Sequence, residues 1–308
     1  MDPFDDLLQG VRADGGGLTR TDLSPPWSVP LGAAGALTLC TVLRGAGRLD
    51  TGDVLRPGDT VVVRGPQPVR LSDAGPAETV LLCGTYDARG TVGRRLVGVL
   101  PEVVVVPAGE GCTPVVEFLH GQGDACGPGE RVVQDRLLDW LLVCALRGWF
   151  DRPGSVPPGW FGALGDEVVG PVLRAMHEAP ERAWTLVGLA AEAGVSRTTL
   201  ADRFTRLVGT PPLTYLTSWR MSLAADWLTG SRETVGTVAR RVGYADAFGF
   251  SAAFKRAHGV SPSVYRRSTG ARARGDAGMS AGADAGVGVG AGPGAEAGVG
   301  AEAGVGAS

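Results

Sequence analysis

The sequence predicts a multidomain α+β protein. An antiparallel β domain fills the amino-terminal half, and an all-α domain with two helix-turn-helix units fills the carboxyl-terminal half. Three observations carry this. Between Trp27 and Pro107, short apolar runs are separated by Gly, Pro and Asp, the rhythm of brief strands and tight turns. From Glu130 to Phe150 a broad apolar surface recurs at helical spacing. Residues 185–267 then contain one pattern twice.

In chain order, Pro3–Val11 reads as a short helix before a Gly-rich break at Gly15–Gly17. The strands expected next are Leu37–Leu43, Val61–Val63, Thr79–Leu82 and Val103–Val106. Pro57-Gly58-Asp59 supplies a turn, because Pro presets one dihedral and Gly accepts a positive one. The 130–150 helix carries Leu137, Leu138, Leu141, Leu142, Ala145 and Trp149, too much apolar surface for one contact. It is expected to pack on the β domain, to form a homodimer seam, or both. Pro153, Pro157 and Pro158 among several glycines suggest a linker. The Gly/Ala/Val-rich end has too little large apolar surface to offset its ordering entropy. The expected division is 1–128 β domain, 129–150 packing or dimerisation helix, 151–166 linker, 167–268 double helix-turn-helix domain and 269–308 disordered tail.

The first copy of the repeat runs Thr185, Ala190, Gly194, Ser196, Leu200, Phe204, Gly209, Pro212, Tyr215. The second runs Thr234, Ala239, Gly243, Asp246, Phe250, Phe254, Gly259, Pro262, Tyr265. The offset grows by one residue after the middle glycine, so the second turn holds an insertion. In each copy a capping residue opens a helix, a glycine turns the chain, and a second cap opens the reading helix. A long helix over Leu213–Leu228 links the copies and sets their separation near one turn of DNA, about 34 Å. Outside the buried stripe, the first reading helix shows Thr198, Ala201, Asp202, Thr205 and Arg206, with Arg197 placed for a phosphate. Asp202 is expected to accept from a cytosine amine or to orient Arg206 one turn on. The second shows Phe248, Gly249, Ala252, Lys255 and Arg256.

Charge agrees with a duplex partner. The chain carries a formal −3, yet Val168–Ser268 holds 13 basic and 7 acidic side chains while residues 1–167 hold 14 and 21. A basic module beside an acidic one fits phosphate binding by the former alone. Met1–Gly10 lacks the basic start and apolar core of a secretory signal. No uninterrupted apolar run approaches the roughly 18 residues of a membrane span. A cytoplasmic protein without membrane contact is expected. The five cysteines, Cys40, Cys83, Cys112, Cys126 and Cys144, form no CxxC pair, so reduced thiols are expected.

The carboxyl module resembles the DNA-binding domain of the AraC/XylS family of bacterial transcription regulators. The resemblance lies in Val242-Gly243-Tyr244, the run Phe250–Arg256 and the run Gly259–Arg267. It implies two helix-turn-helix units in adjacent major grooves of promoter DNA, contact with RNA polymerase, and activation. Two departures stand out. Family members often carry Arg where this chain has Ala252, and Gly249 interrupts the second reading helix at a cost of about 1 kcal/mol. The first unit is therefore expected to supply most of the sequence discrimination.

The front half resembles the cupin-like sensor domain of one subgroup, through Met1-Asp2-Pro3, the Pro57-Gly58-Asp59 turn, Leu82-Cys83-Gly84-Thr85-Tyr86 and the 130–150 helix. This implies an antiparallel cupin-like barrel that binds a small-molecule effector or couples to dimerisation. Histidines are only His120, His177 and His258, with no HxH arrangement, which argues against a catalytic metal site. No GxSxG, P-loop or dinucleotide fingerprint is present. No cofactor and no catalytic activity are expected. Cys83 ends a strand and is a candidate redox thiol; Cys112 and Cys126 flank a Gly-rich loop and could pair. Buried structural cysteines are the plainer account. The competing function is a small-molecule-binding cupin protein, or a residual cupin enzyme, with an accessory helical domain.

Overall fold

The computed structural model describes residues 3–13, 18–32, 36–88, 90–109, 116, 130–152 and 159–268. The amino-terminal half contains helix α1 (Pro3–Gln9), strands β1 (Val11–Ala13), β2 (Thr19–Leu23), β3 (Ser28–Leu31), β4 (Leu37–Arg44), β5 (Gly47–Leu49), β6 (Val54–Leu55), β7 (Thr60–Arg64), β8 (Val69–Asp73) and β9 (Thr79–Ala88), helix α2 (Gly90–Val99) and strand β10 (Val103–Val106). Six strands form one antiparallel sheet in the order β1-β9-β4-β7-β10, with β2 also on β9; β3-β8-β5-β6 form the other. The cupin-like domain is thus built as two facing sheets.

Alternation along β4 assigns its two faces. Leu37 and Leu39 point to the helices, and Cys40 and Val42 point between the sheets with Trp27, Val61 and Leu71. The expected turn before β7 is present: Asp59 N–H donates to Arg56 O at 2.9 Å, with Gly58 at φ 90°. The strand rhythm concealed α2, whose Val92 and Leu96 are buried one turn apart. A one-sided helix this short leaves few apolar residues to mark it.

Helix α3 (Glu130–Asp151) lies on the outer face of the six-stranded sheet. It buries Leu138, Leu141, Leu142, Ala145 and Leu146, and Leu138 O accepts a 2.6 Å hydrogen bond from Tyr86. Asp139 accepts from Arg12 at 3.1 Å and from Ala13 N–H at 3.0 Å, tying β1 to the helix. The 151–166 segment is not the open linker expected of it where it is described. Helix α4 (Gly159–Gly162) and a 3₁₀ turn (Ala163–Gly165) occupy it. The reason is aromatic: Trp160 is buried, and Phe161 packs on Phe150 and Phe4 at centroid distances of 4.4 and 5.3 Å. The 269–308 tail lies outside the described residues.

The carboxyl half is helical throughout: α5 (Val169–Glu178), α6 (Leu186–Glu192), α7 (Arg197–Val208), α8 (Pro212–Gly230), α9 (Val235–Arg241) and α10 (Ala247–His258), with a last helical segment at 262–268. One apolar core runs without a break from α1, the six-stranded sheet and α3 into α5, α6, α7 and the first half of α8. A separate core holds the second half of α8 with α9 and α10.

Gly10 and Gly93 let the turn after α1 and helix α2 touch backbone to backbone, and a Cβ on either would fall inside the other's main chain. Gly93→Ala is expected to lower stability by about 1–3 kcal/mol, read as a reduced midpoint in urea unfolding.

Candidate nucleic-acid interface

The two units are built by the same local chemistry. Thr185 and Thr234 cap the first helices, accepting from Gly188 N–H and Thr237 N–H. Gly194 (φ 65°) and Gly243 (φ 79°) turn the chain in the left-handed region. The residue after each glycine closes the turn: Val195 N–H donates to Ala190 O at 3.0 Å, and Tyr244 N–H to Ala239 O at 2.9 Å. The inserted residue of the second copy therefore falls after this closure, at Ala245. Ser196 and Asp246 then cap the reading helices α7 and α10, accepting from Thr199 N–H and from Phe248 and Gly249 N–H. Leu200 and Phe204 in one, Phe250 and Phe254 in the other, are fully buried, which fixes the opposite faces.

Those faces carry the expected side chains. Arg197, Thr198, Asp202, Thr205 and Arg206 are exposed on α7 and Ala201 is half-buried; Phe248, Ala252, Lys255 and Arg256 are exposed on α10. Among the described residues no ion pair joins Asp202 to Arg206, so the expected orienting contact is not made. Gly249 occupies the third position of α10, where a Cβ would stand 3.4 Å from the Asp246 carboxylate. Its N–H instead donates to that carboxylate at 2.7 Å, so the glycine belongs to the cap rather than to the helix interior.

Net charge overstated the cations available to phosphate. Arg220 donates to Pro180 O at 2.6 Å and Arg182 O at 2.7 Å. Arg266 donates to Leu228 O at 3.0 Å and Glu233 O at 2.6 Å, and Arg241 pairs with Glu233 at 2.7 Å. Arg203 binds Asp166 at 2.9 Å and Glu167 at 3.2 Å. Only tertiary placement separates these from the outward Arg197, Arg206 and Arg256; composition carries no such signal.

Contacts between sensor and helical halves were not legible in sequence. His177 is buried, with Nδ1 2.7 Å from Asp6 Oδ2 and Nε2 2.9 Å from the Tyr215 hydroxyl, and its ring stacks on Trp219 at 4.2 Å. Burial pushes the Tyr215 pKa up to about 12, so the phenol stays protonated within this chain of contacts. Farther along the same face of α8, Asp226 accepts from Thr91 N–H and, at 3.0 Å, from Val92 N–H at the start of α2. Thr91 and Tyr265 hydroxyls meet at 3.3 Å.

In the sensor domain the sulfurs of Cys40 and Cys83 face each other across β4 and β9, directly in register and 2.8 Å apart. Cys40 is fully buried and Cys83 half-buried, both as free thiols. The Cys83 contact and burial push the Cys40 pKa well up. Cys112, Cys126 and His120 lie outside the described residues. Among the described residues no three His, Cys, Asp or Glu side chains converge on a metal-sized site, and no helix is long and apolar enough to cross a membrane.

A β-sandwich joined to two capped helix-turn-helix units with outward polar and basic faces defines a DNA-binding transcription regulator with a β-rich amino-terminal domain. Residues 2–151 match the model of the cupin family, and residues 189–268 match a helix-turn-helix domain model. A putative AraC-like transcription regulator of Streptomyces lividans is 32% identical, covering 87% of this chain and 98% of that protein. The RCS-specific HTH-type transcriptional activator RclR of Escherichia coli K12 is 29% identical over 79% of this chain and 89% of its own. The DNA-binding domain of AdpA, solved with a target DNA, is 33% identical, covering 35% of this chain and 96% of that domain, with a TM-score of 0.33. The chain belongs to the AraC-like transcription regulators.

Asp166 anchors the first unit. Burial works to raise its pKa, but N–H donors from Val169 and Val168 and the Arg203 guanidinium outweigh it, and the net shift is downward. A lowered carboxylate pKa adds stability above the ordinary value of about 4 and loses it as pH falls through the lowered one. Asp166→Asn is expected to be less stable than wild type at about pH 7, with the gap closing toward about pH 3, measured by urea unfolding at both.

Proposed function

We propose that this regulator reads double-stranded promoter DNA with both units at once. Helix α7 meets base edges through Thr198, Ala201, Asp202, Thr205 and Arg206, with Arg197 on a phosphate; α10 engages through Phe248, Ala252, Lys255 and Arg256. The observation that carries the reading is the pair of reading helices with anchored caps, buried inner stripes and free outer faces. Activation through RNA polymerase is the reading favoured by kinship with a named transcriptional activator, and it places the protein in the cytoplasm. A homodimer is supported by the outward face of α3. There Val132, Val133 and Trp140 are exposed by 63, 49 and 54%, an apolar stripe that a second copy would cover.

The signal enters at the sensor domain, from a small-molecule effector or an oxidant. The opposed thiols favour the oxidant. A two-electron oxidant such as hydrogen peroxide converts the half-buried Cys83 thiol to a sulfenic acid, releasing water. The Cys40 thiol then forms the Cys40–Cys83 disulfide and expels a second water. Cys40 takes the role of resolving thiol in this proposal, while Cys112 and Cys126, the pair expected from sequence, lie outside the described residues.

Selecting bound sequences from random duplex with the full chain tests DNA reading. Arg206→Ala should weaken binding to the selected site by about 1–3 kcal/mol and relax preference at one position; unchanged preference removes Arg206 from the reading face. Peroxide should change affinity for that site reversibly in the wild type and not in Cys40→Ser or Cys83→Ser. An unaltered response in both variants assigns the signal elsewhere.

A further inference from the structure

The second reading helix displays chemistry that the first does not. With the caps Ser196 and Asp246 aligned, Thr198 corresponds to Phe248, Asp202 to Ala252, Thr205 to Lys255 and Arg206 to Arg256. Helix α7 thus offers hydrogen-bonding groups along its face, whereas α10 offers an aromatic ring, a methyl group and then two cations. Phe248 is 87% exposed, the most exposed large apolar side chain among the described residues. Its backbone is held, because its N–H donates to Asp246 Oδ1 at 2.8 Å, so the ring stands at the amino-terminal tip of the helix. Ala252, one turn on, is exposed and has no polar atom in its side chain. Lys255 and Arg256 follow on the exposed surface and complement phosphates on either side of a groove.

Resting on the reading that α10 enters the major groove, we propose that Phe248 and Ala252 recognise the 5-methyl group of thymine. That methyl is the apolar group the four normal bases present in the major groove. Covering it requires no polar partner from the protein, and the gain is roughly proportional to the area removed from water. The two units therefore specify their half-sites by different means, the first by hydrogen bonds and the second by methyl contact. The second unit is a reader in its own right.

The test uses the full chain and the site recovered by selection from random duplex. Each thymine of that site is replaced in turn by deoxyuridine, which removes the methyl and leaves base pairing intact. For the wild type, one or two positions should lose about three- to tenfold in affinity, the scale of one buried methyl. Phe248→Ala should bind the thymine site about as weakly and be insensitive to uridine at those positions, while Phe248→Leu retains the sensitivity. Uridine tolerated everywhere, or Phe248→Ala with unchanged affinity as a protein-contact role would give, overturns methyl reading and leaves DNA binding intact. Recovery of no site at all removes both.

Discussion

Helix α8 belongs to two cores at once, and the carboxyl half is organised by that fact. Tyr215, Leu216 and Trp219 from its first half lie in the core shared with the sensor domain and the first unit. Met221, Ala224, Ala225 and Leu228 from its second half lie in the core of the second unit. A helix interior admits little bending without Pro, Gly pairs or an inserted side chain, and α8 carries none of these between Leu213 and Thr229. The two reading helices are held by one rigid element, each through its own packing.

The cupin-like domain grips that element at two points along one face. The Tyr215–His177–Asp6 chain satisfies both ring nitrogens of a buried histidine, which would otherwise carry the desolvation cost of an unmet polar atom. Asp226 supplies an anion to the free N–H groups at the start of α2, where backbone donors and the helix dipole favour it. The first unit is continuous with the sensor core, while polar contacts through Asp226 and Tyr265 tie the sensor to the second. β9, which carries Cys83, leads after one residue into α2. A change in the strand is thus covalently close to the contact on α8.

Several elements were legible because one local rule was enough. Strands β4, β7, β9 and β10 announced themselves by apolar, β-branched runs between turn residues, and the twin units by a fixed spacing of cap, glycine and aromatic core. Strands such as β5 and β6, of three and two residues, are too short to show a period. Helix α2 and the α4 turn were missed because their apolar residues matter only once α1, α3 and α8 lie against them. The Gly249 misreading has the same origin: its cost depends on whether it sits in a helix interior or beside a capping carboxylate.

Sequence alone determined the fold class, the two units and the outward residues of both reading helices. Those properties follow from helical and strand periodicity and from capping chemistry, which act over a few neighbouring residues. Tertiary structure alone decided which arginines remain free for phosphate, that Cys83 faces Cys40, and that Asp6 and Asp226 fasten the sensor to the helical half. Such partners lie as far as 171 residues apart. Their meeting depends on how sheets and helices stack, a property of the whole packed chain that no short window contains.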